Sequence, residues 1–219
     1  MSFEQARFNM VEQQIRPWQV LDQQVLDVIL KTPREAFVPA EQRQLSYVDT
    51  AIALAHGQCM MPPVVEGRLL QALNLRAEDQ VLEIGTGTGY LTACIAQLSA
   101  QVESIDIYQD FIDDAGRNLG GLGLSNVQLT VADACQPIEK SKQYQVIAFT
   151  GALPAVPNDY KNALTIGGRL FVIVGQPNQP IMEALLITRT SQAQWMQESL
   201  FETHIPFLVN APLPGSFSF

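Results

Sequence analysis

The stretch that decides the fold is Val81-Leu82-Glu83-Ile84-Gly85-Thr86-Gly87-Thr88-Gly89-Tyr90. Its first residues are predicted to form a buried strand, its glycines a turn, and the residues from about Thr88 a helix that runs through Leu98. Glycine permits positive φ angles and lets a ligand approach the backbone closely. The start of a helix adds free N–H groups and the positive end of the helix dipole. A strand, a glycine-rich turn and a helix in this order are typical of a nucleotide-binding loop.

The glycine spacing distinguishes between kinds of nucleotide loop. A P-loop needs GxxxxGK[ST], and no lysine follows the glycines here. A dinucleotide fingerprint GxGxxG that began at Gly85 would need glycine at position 90, where Tyr90 stands. The pattern is instead ExGxGxG, with Glu83 on the strand and glycines at 85, 87 and 89. This is the first motif of S-adenosylmethionine-dependent methyltransferases, whereas an ordinary strand–helix turn rarely needs three alternating glycines. The sequence therefore predicts S-adenosylmethionine as the cofactor.

Two acidic residues follow the next two predicted strands. Asp106 lies 21 positions after Gly85, close to the ~20 expected for the acid that binds a ribose. Asp133 follows the third strand, where a carboxylate can accept a hydrogen bond from the adenine amino group. Either acid alone is more typical of a loop residue or a helix cap. Because ligands of open α/β sheets bind at the carboxyl ends of the strands, we expect both acids at the cofactor site.

The composition and net charge of the chain argue against several classes of protein. The 219 residues carry 13 Lys+Arg against 22 Asp+Glu, a formal charge of −9, and 47% of them are apolar. This composition argues against disorder, and the net charge argues against a nucleic-acid partner. No apolar run approaches the ~18 residues of a membrane span, and we expect a cytoplasmic protein with no membrane partner. The cysteines at 59, 94 and 135 form no CxxC pair, and no metal site is predicted.

Strands and helices alternate from residue 80 to residue 174, which predicts a mostly parallel, doubly wound α/β sheet of the Rossmann-like type. The predicted strands are 80–84, 102–106, 127–131, 144–150 and 168–174, with helices over 109–119 and 158–164. Residues 181–189 and 195–205 are predicted to add two antiparallel strands. Helices are predicted over 3–15, 21–30 and 64–73. We therefore expect residues 1–75 to form an N-terminal helical cap and substrate-cleft subdomain, and residues 76–219 to form the cofactor-binding domain.

Further motifs narrow the match to one family. Over roughly residues 28 to 189 the chain resembles the protein-L-isoaspartate O-methyltransferase family. The motifs that carry the resemblance stand in a fixed order along the chain. They are Pro33-Arg34-Glu35-Ala36-Phe37-Val38-Pro39, Tyr47-Val48-Asp49, Gly57-Gln58, Pro62-Pro63, the glycine-rich stretch, Ser104-Ile105-Asp106, Asn126-Val127 with Asp133, Phe149-Thr150-Gly151-Ala152, and Leu164-Thr165-Ile166-Gly167-Gly168-Arg169-Leu170.

The resemblance implies an α/β fold with a helical subdomain over the substrate cleft. It implies methylation of the free α-carboxylate of L-isoaspartyl residues in damaged proteins, a repair activity. Residues are assigned to the cofactor by their position in the family's motifs: Glu83, Gly85, Thr86, Gly87, Gly89, Asp106, Asp133, Ala134 and Thr150. The residues assigned to the substrate cleft are Tyr47, Asp49, Gln58, Cys59 and Met61. Asp49 would equally fit the role of stabilising a turn.

One loop departs from the family pattern. It reads Gly57-Gln58-Cys59-Met60-Met61-Pro62-Pro63, where the family has a Thr-Ile-Ser-type run. Met61 thus takes the place of the serine, and a thioether cannot donate a hydrogen bond. The residues leave open whether Cys59 donates from its thiol or packs as an apolar side chain, and whether Met61 lines a pocket or packs the cap. Two alternatives follow: a methyltransferase with a different acceptor, such as a small-molecule acid, or a non-catalytic relative that binds the cofactor.

Overall fold

The structure is a computed structural model that describes residues 2–136, 138–139, 141–177 and 179–212. The strands are β1 (Ile52–Ala53), β2 (Cys59–Met60), β3 (Gln80–Ile84), β4 (Gln101–Asp106), β5 (Val127–Val131), β6 (Tyr144–Leu153), β7 (Leu164–Val174), β8 (Met182–Ser191) and β9 (Gln194–Thr203). Seven of them form one sheet in the order β5-β4-β3-β6-β7-β8-β9, and β1 pairs with β2 in a separate two-stranded sheet. The helices are α1 (Phe3–Met10), continued by a π-helical turn (Val11–Ile15), α2 (Gln23–Lys31), α3 (Pro63–Leu73), α4 (Tyr90–Ala96), α5 (Gln109–Gly121) and α6 (Asn158–Asn162).

The sheet is the predicted doubly wound α/β sheet. Strand β3 pairs in parallel with both β4 and β6, and the parallel part continues to β5 on one side and β7 on the other. The chain therefore changes winding direction beside β3, and the carboxyl end of that strand is where a ligand crevice opens in such folds. The antiparallel pair was also predicted correctly, since β8 pairs with both β7 and β9 in antiparallel register.

The first 75 residues pack on one face of the sheet. Asp22 caps α2 as its position predicts, with Oδ1 accepting a hydrogen bond from the Gln24 backbone N–H at 2.8 Å. Met10, Leu69 and Phe171 are fully buried in one apolar cluster, so α1, α3 and strand β7 share a core. The division into two domains at residue 75 stays a prediction, and its final residues, 213–219, lie outside the described part of the chain.

Helix α4 is shorter than the predicted one. It begins at Tyr90 and ends at Ala96, with Gly89 as the N-cap residue at φ 84°. Gly85, Gly87 and Gly89 all have positive φ angles, so the glycine loop continues through residue 89 before the helix begins. Within the described residues, no helix combines the length and the apolar character that crossing a membrane requires.

Candidate active site

The three glycines of the loop differ in what packs against them. A Cβ at Gly85 would lie 2.1 Å from Thr150 Oγ1, and one at Gly89 would lie 3.0 Å from the Ala115 Cβ of α5. At Gly87 the nearest atom to such a Cβ is Leu54 Cδ1, at 3.8 Å. Gly85 and Gly89 therefore allow neighbouring elements to pack closely against the loop, whereas Gly87 leaves its backbone accessible.

Two adjoining cavities border this loop. The outer cavity lies at the carboxyl ends of strands β3 to β6, and the inner cavity lies between the glycine loop and the cap. Both are lined by Leu54, Cys59, Gly85, Gly87 and Thr150. The outer cavity adds Gln58, Ile84, Ile105, Asp106, Ile107, Tyr108, Phe111, Ala132, Asp133, Ala134, Gly151, Leu208 and Val209. The inner cavity adds Met60, Met61, Glu66, Thr86, Thr88, Tyr90 and Leu91.

The two predicted acids meet in the outer cavity. Oδ2 of Asp106 accepts a hydrogen bond from the Gly87 N–H at 2.9 Å, which fixes the carboxylate against the loop. Burial raises the pKa of Asp106, and hydrogen bonds from backbone N–H groups oppose that rise. The Asp133 carboxylate accepts hydrogen bonds from the Cys135 N–H at 2.8 Å and from Asn210 at 2.9 Å. These bonds, the one from Cys135 most of all, lower the pKa of Asp133, so this carboxylate is ionised at neutral pH.

Glu83 lies beneath the loop and does not line either cavity. Its carboxylate is fully buried and accepts hydrogen bonds from Thr92 Oγ1 at 2.5 Å and Ser104 Oγ at 2.6 Å. Burial raises its pKa to about 7. This position argues against the expected direct contact of Glu83 with the cofactor, because its carboxylate joins β3 to α4 and β4 instead. Gly89 faces α5 and is also absent from the described lining of both cavities.

Thr86 and Thr150 flank the loop at the inner cavity. The Thr86 hydroxyl lies 2.7 Å from Ser104 Oγ, which links it to the network around Glu83. The Thr150 hydroxyl lies 2.7 Å from the Gly85 carbonyl oxygen and 2.9 Å from that of Ile84. Thr150 is therefore held against the loop by a donated hydrogen bond, and it lines both cavities as its predicted role requires.

The divergent cap loop covers the same two cavities. Gln58 and Cys59 line the outer cavity, and Cys59 and Met61 line the inner one. Burial raises the pKa of Cys59, so its thiol stays protonated at neutral pH. His56, in the turn before this loop, stacks on Tyr108 at 3.8 Å and lies 2.8 Å from Asp110 Oδ2. The cap is thereby joined to the body of the protein at the edge of the outer cavity.

Two residues predicted for the cleft lie elsewhere. Tyr47 is buried and its hydroxyl donates a hydrogen bond to the Glu35 carboxylate. Asp49 Oδ1 accepts a hydrogen bond from the Val64 N–H at 3.1 Å, at the start of α3. Neither is among the described residues that line the two cavities. Asp49 thus plays the alternative, turn-stabilising role, and Tyr47 supports the cap.

Several lining residues were not predicted. Leu54, Tyr108 and Phe111 bring apolar and aromatic surface to the outer cavity, and Leu208 reaches it from beyond the last strand. Glu66 brings a buried carboxylate to the inner cavity. The sequence contained one signal for Glu66, an acidic residue in the run Pro62-Pro63-Val64-Val65-Glu66, which is otherwise apolar. It contained none for Leu208, whose place depends on the backbone bridge between residues 152 and 207.

The outer cavity suits an adenosine. Two carboxylates can accept hydrogen bonds from ribose hydroxyls and an adenine amino group, apolar side chains can cover the base, and Gly87 exposes its backbone. Asp106, Asp133 and Ala134 would hold the nucleoside part of S-adenosylmethionine, with Gly85 and Gly87 beside them. Fold and site together define a Rossmann-like, S-adenosylmethionine-dependent methyltransferase, as the glycine spacing predicts.

Comparison with known proteins identifies the family. The sequence profile of the protein-L-isoaspartate(D-aspartate) O-methyltransferase family matches residues 5–208. The chain is 36% identical to protein-L-isoaspartate O-methyltransferase 1 of Rhodopseudomonas palustris strain HaA2, over 87% of this chain and 77% of that one. It is 34% identical to the protein-L-isoaspartate O-methyltransferase of Rhodopseudomonas palustris strain CGA009, over 92% of each chain. The chain therefore belongs to the protein-L-isoaspartate O-methyltransferase family.

A crystal structure with the same fold comes from Plasmodium falciparum. That protein is assigned as a protein-L-isoaspartate O-methyltransferase and was solved in complex with S-adenosyl-L-homocysteine. It superposes with a TM-score of 0.79 at 18% identity, over 92% of this chain and 97% of that one. The predicted fold class is thus confirmed by a structure whose sequence is far from this one.

Proposed function

We propose that this protein transfers a methyl group from S-adenosylmethionine to the free carboxylate of L-isoaspartyl residues in proteins and peptides. The observation that carries the proposal is the joint lining of the outer cavity. Asp106, Asp133 and the glycine loop stand on one side of it, and the cap loop with Gln58 and Cys59 stands on the other. This arrangement can hold a nucleoside beside a cleft for the methyl acceptor, and the family membership assigns the acceptor.

Each part of the site has a role in this proposal. The cofactor supplies a methyl group on a positively charged sulfonium. Asp106 accepts hydrogen bonds from the ribose hydroxyls, and Asp133 accepts one from the adenine amino group. Thr150 and Gly85 border both cavities, so they stand where the two parts of the site meet. Glu83 acts indirectly, because its hydrogen bonds to Thr92 and Ser104 join the strand before the loop to helix α4 after it and to the neighbouring strand β4.

The acceptor explains why the site needs no base. A carboxylate has a pKa near 4 and is ionised at pH 7, so no side chain has to remove a proton before it attacks. The protein's contribution is then to hold the two reacting groups in line and to exclude water. The buried surface of the cap loop serves that purpose, because Met60 and Met61 are 5% and 4% exposed.

A second candidate, methylation of a different acceptor, is favoured by Met61. This residue lines the inner cavity where the family carries a hydroxyl, and a thioether cannot hydrogen-bond a carboxylate. The lost hydrogen bond to a charged acceptor is worth about 1.5–3 kcal/mol, which corresponds to about 10- to 150-fold in rate. A small-molecule acid would be such an acceptor.

A cytoplasmic location and the absence of nucleic-acid and membrane partners stay predictions from the sequence.

One paired experiment separates these candidates. Calorimetric titration with S-adenosylmethionine measures cofactor binding, and transfer of a labelled methyl group to an isoaspartyl peptide measures the activity. Binding with transfer supports the proposal. Binding without transfer rejects the isoaspartyl acceptor and leaves the second candidate. No binding rejects both.

A further inference from the structure

Glu66 is a buried carboxylate in the candidate active site that the roles described above do not use. It lies on α3, is 3% exposed, and lines the inner cavity together with Met61, Thr86 and Thr88. Burial raises its pKa to about 7, against the lowering effect of the neighbouring Arg34. A buried acid is costly unless it is paired, so the partner of Glu66 determines what else its carboxylate can bind.

Arg34 holds this carboxylate in place. Its Nη1 donates a hydrogen bond to Glu66 Oε2, and its Nη2 donates one to the Met61 carbonyl oxygen at 2.8 Å. The guanidinium also lies 4.6 Å from the centre of the Tyr90 ring. Arg34 therefore takes one oxygen of Glu66 and fixes its orientation, while the carboxyl group still borders the cavity.

The acidic side chains around the glycine loop outnumber the basic ones. Glu66 and Glu83 are buried next to the loop, the charge of Asp49 acts on Glu66, and Arg34 pairs with Glu66. The charge of Glu66 contributes to the raised pKa of Cys59, after burial itself, so the field of this carboxylate extends to the cap loop. No lysine or arginine is among the described residues that line the inner cavity. A cation that enters this cavity would be stabilised by the Glu66 carboxylate.

We propose that Glu66 binds the α-ammonium group of the cofactor's methionyl part and thereby positions the cofactor. This inference rests on the proposed function, which provides the cofactor. In the proposed function Asp106 and Asp133 bind the nucleoside in the outer cavity. The inner cavity adjoins the outer one at Gly85 and Gly87, which line both. The inner cavity would then receive the amino-acid end of the cofactor. Its ammonium group is the cation that Glu66, the one acidic residue among the described lining of this cavity, would bind.

The test compares two ligands that differ in the amino-acid part. S-adenosylhomocysteine carries the ammonium, and 5′-methylthioadenosine has the same nucleoside and sulfur without it. Calorimetric titration of the full chain carrying Glu66→Gln should show S-adenosylhomocysteine bound about 10- to 150-fold more weakly, the range for a hydrogen bond to a charged group. The affinity for 5′-methylthioadenosine should change less than about 2-fold. Glu35→Gln is the matched control, because Glu35 bonds to Tyr47 in the cap, and it should leave both affinities unchanged.

A second variant protects the test against loss of folding. Glu66→Asp keeps the charge but shortens the side chain, and it should give a smaller loss that is again confined to S-adenosylhomocysteine. Equal weakening of both ligands would overturn the proposal and leave Glu66 with a structural role. Unchanged binding of both ligands would overturn it as well. Failure of the unaltered protein to bind S-adenosylhomocysteine would reject the proposed cofactor itself, a result distinct from a failure at Glu66.

Discussion

Replacing Gly85 by alanine tests the geometry of the loop at its tightest point. Gly85 has φ 96°, and its new Cβ would lie 2.1 Å from Thr150 Oγ1. A left-handed conformation costs a residue with a Cβ about 1–2 kcal/mol. Displacing the Thr150 hydroxyl from the carbonyl oxygens of Ile84 and Gly85 costs about 1 kcal/mol more. We expect Gly85→Ala to lower the free energy of unfolding by about 2–3 kcal/mol.

The assay is thermal unfolding followed by circular dichroism, with four variants beside the unaltered protein: Gly85→Ala, Thr150→Ala, the double variant of these two, and Gly120→Ala. For a chain of this size the loss corresponds to a fall in Tm of about 5–10 °C. Gly120→Ala is the matched control: a Cβ there, in α5, meets nothing within 4 Å, and we expect a gain of about 0.5–1 kcal/mol. The double variant Gly85→Ala/Thr150→Ala should be more stable than the sum of the two single effects by about 1 kcal/mol, because it relieves the collision. Unaltered stability of Gly85→Ala, or strict additivity in the double variant, would refute the reasoning.

The remaining predictions concern the carboxylates and the cap loop. Asp106→Ala should weaken S-adenosylhomocysteine binding at least about 10-fold in calorimetry, because it removes a charged acceptor for the ribose hydroxyls; unchanged affinity would remove Asp106 from the site. Met61→Ser should raise methyl transfer to an isoaspartyl peptide about 10-fold, at a cost of about 2–5 kcal/mol in stability for truncating a buried methionine; no rise would show that the missing hydroxyl does not limit the reaction. The pKa of Glu83 is about 7 in the folded protein, against 4.5 ordinarily. Between these two pH values the folded state holds a proton on Glu83 that the unfolded chain has lost. The free energy of unfolding therefore falls as the pH rises from about 4.5 to about 7. Urea unfolding at pH 5 and pH 8 should therefore show a smaller difference for Glu83→Gln than for the unaltered protein, and an equal difference would contradict the raised pKa.

The parallel sheet, and the placing of both acids at its carboxyl edge, could be predicted because they depend on local patterns. The predicted strands 80–84 and 102–106 are apolar runs bounded by turn signals. Because consecutive parallel strands usually lie side by side, their order along the chain places the acid at the end of 102–106 next to the glycine loop. The glycine spacing predicts the cofactor for the same reason, because a ligand or a neighbouring element can approach the backbone closely only where the residue is glycine. The start of helix α4 was placed about two residues early, because positive φ at Gly89 extends the loop.

The details of the site could not be predicted because they depend on contacts between distant segments. The family motif predicts Tyr47 at the cleft, and Asp49 either at the cleft or in a turn. Their partners Glu35 and Val64 hold both residues in the cap. Glu83 was assigned a direct contact, although Thr92 and Ser104 enclose its carboxylate. Such hydrogen bonds join residues on different elements, and no spacing along the chain reveals them.

The most direct test of the whole account measures the acceptor itself. A peptide with one L-isoaspartyl residue and the same peptide with a normal L-aspartyl residue are each incubated with the protein and S-adenosylmethionine labelled in the methyl group. The account predicts that base-labile methyl ester forms on the isoaspartyl peptide and not on its aspartyl counterpart, and that Asp106→Ala reduces this transfer. Tight cofactor binding with no ester on the isoaspartyl peptide would contradict the proposed function.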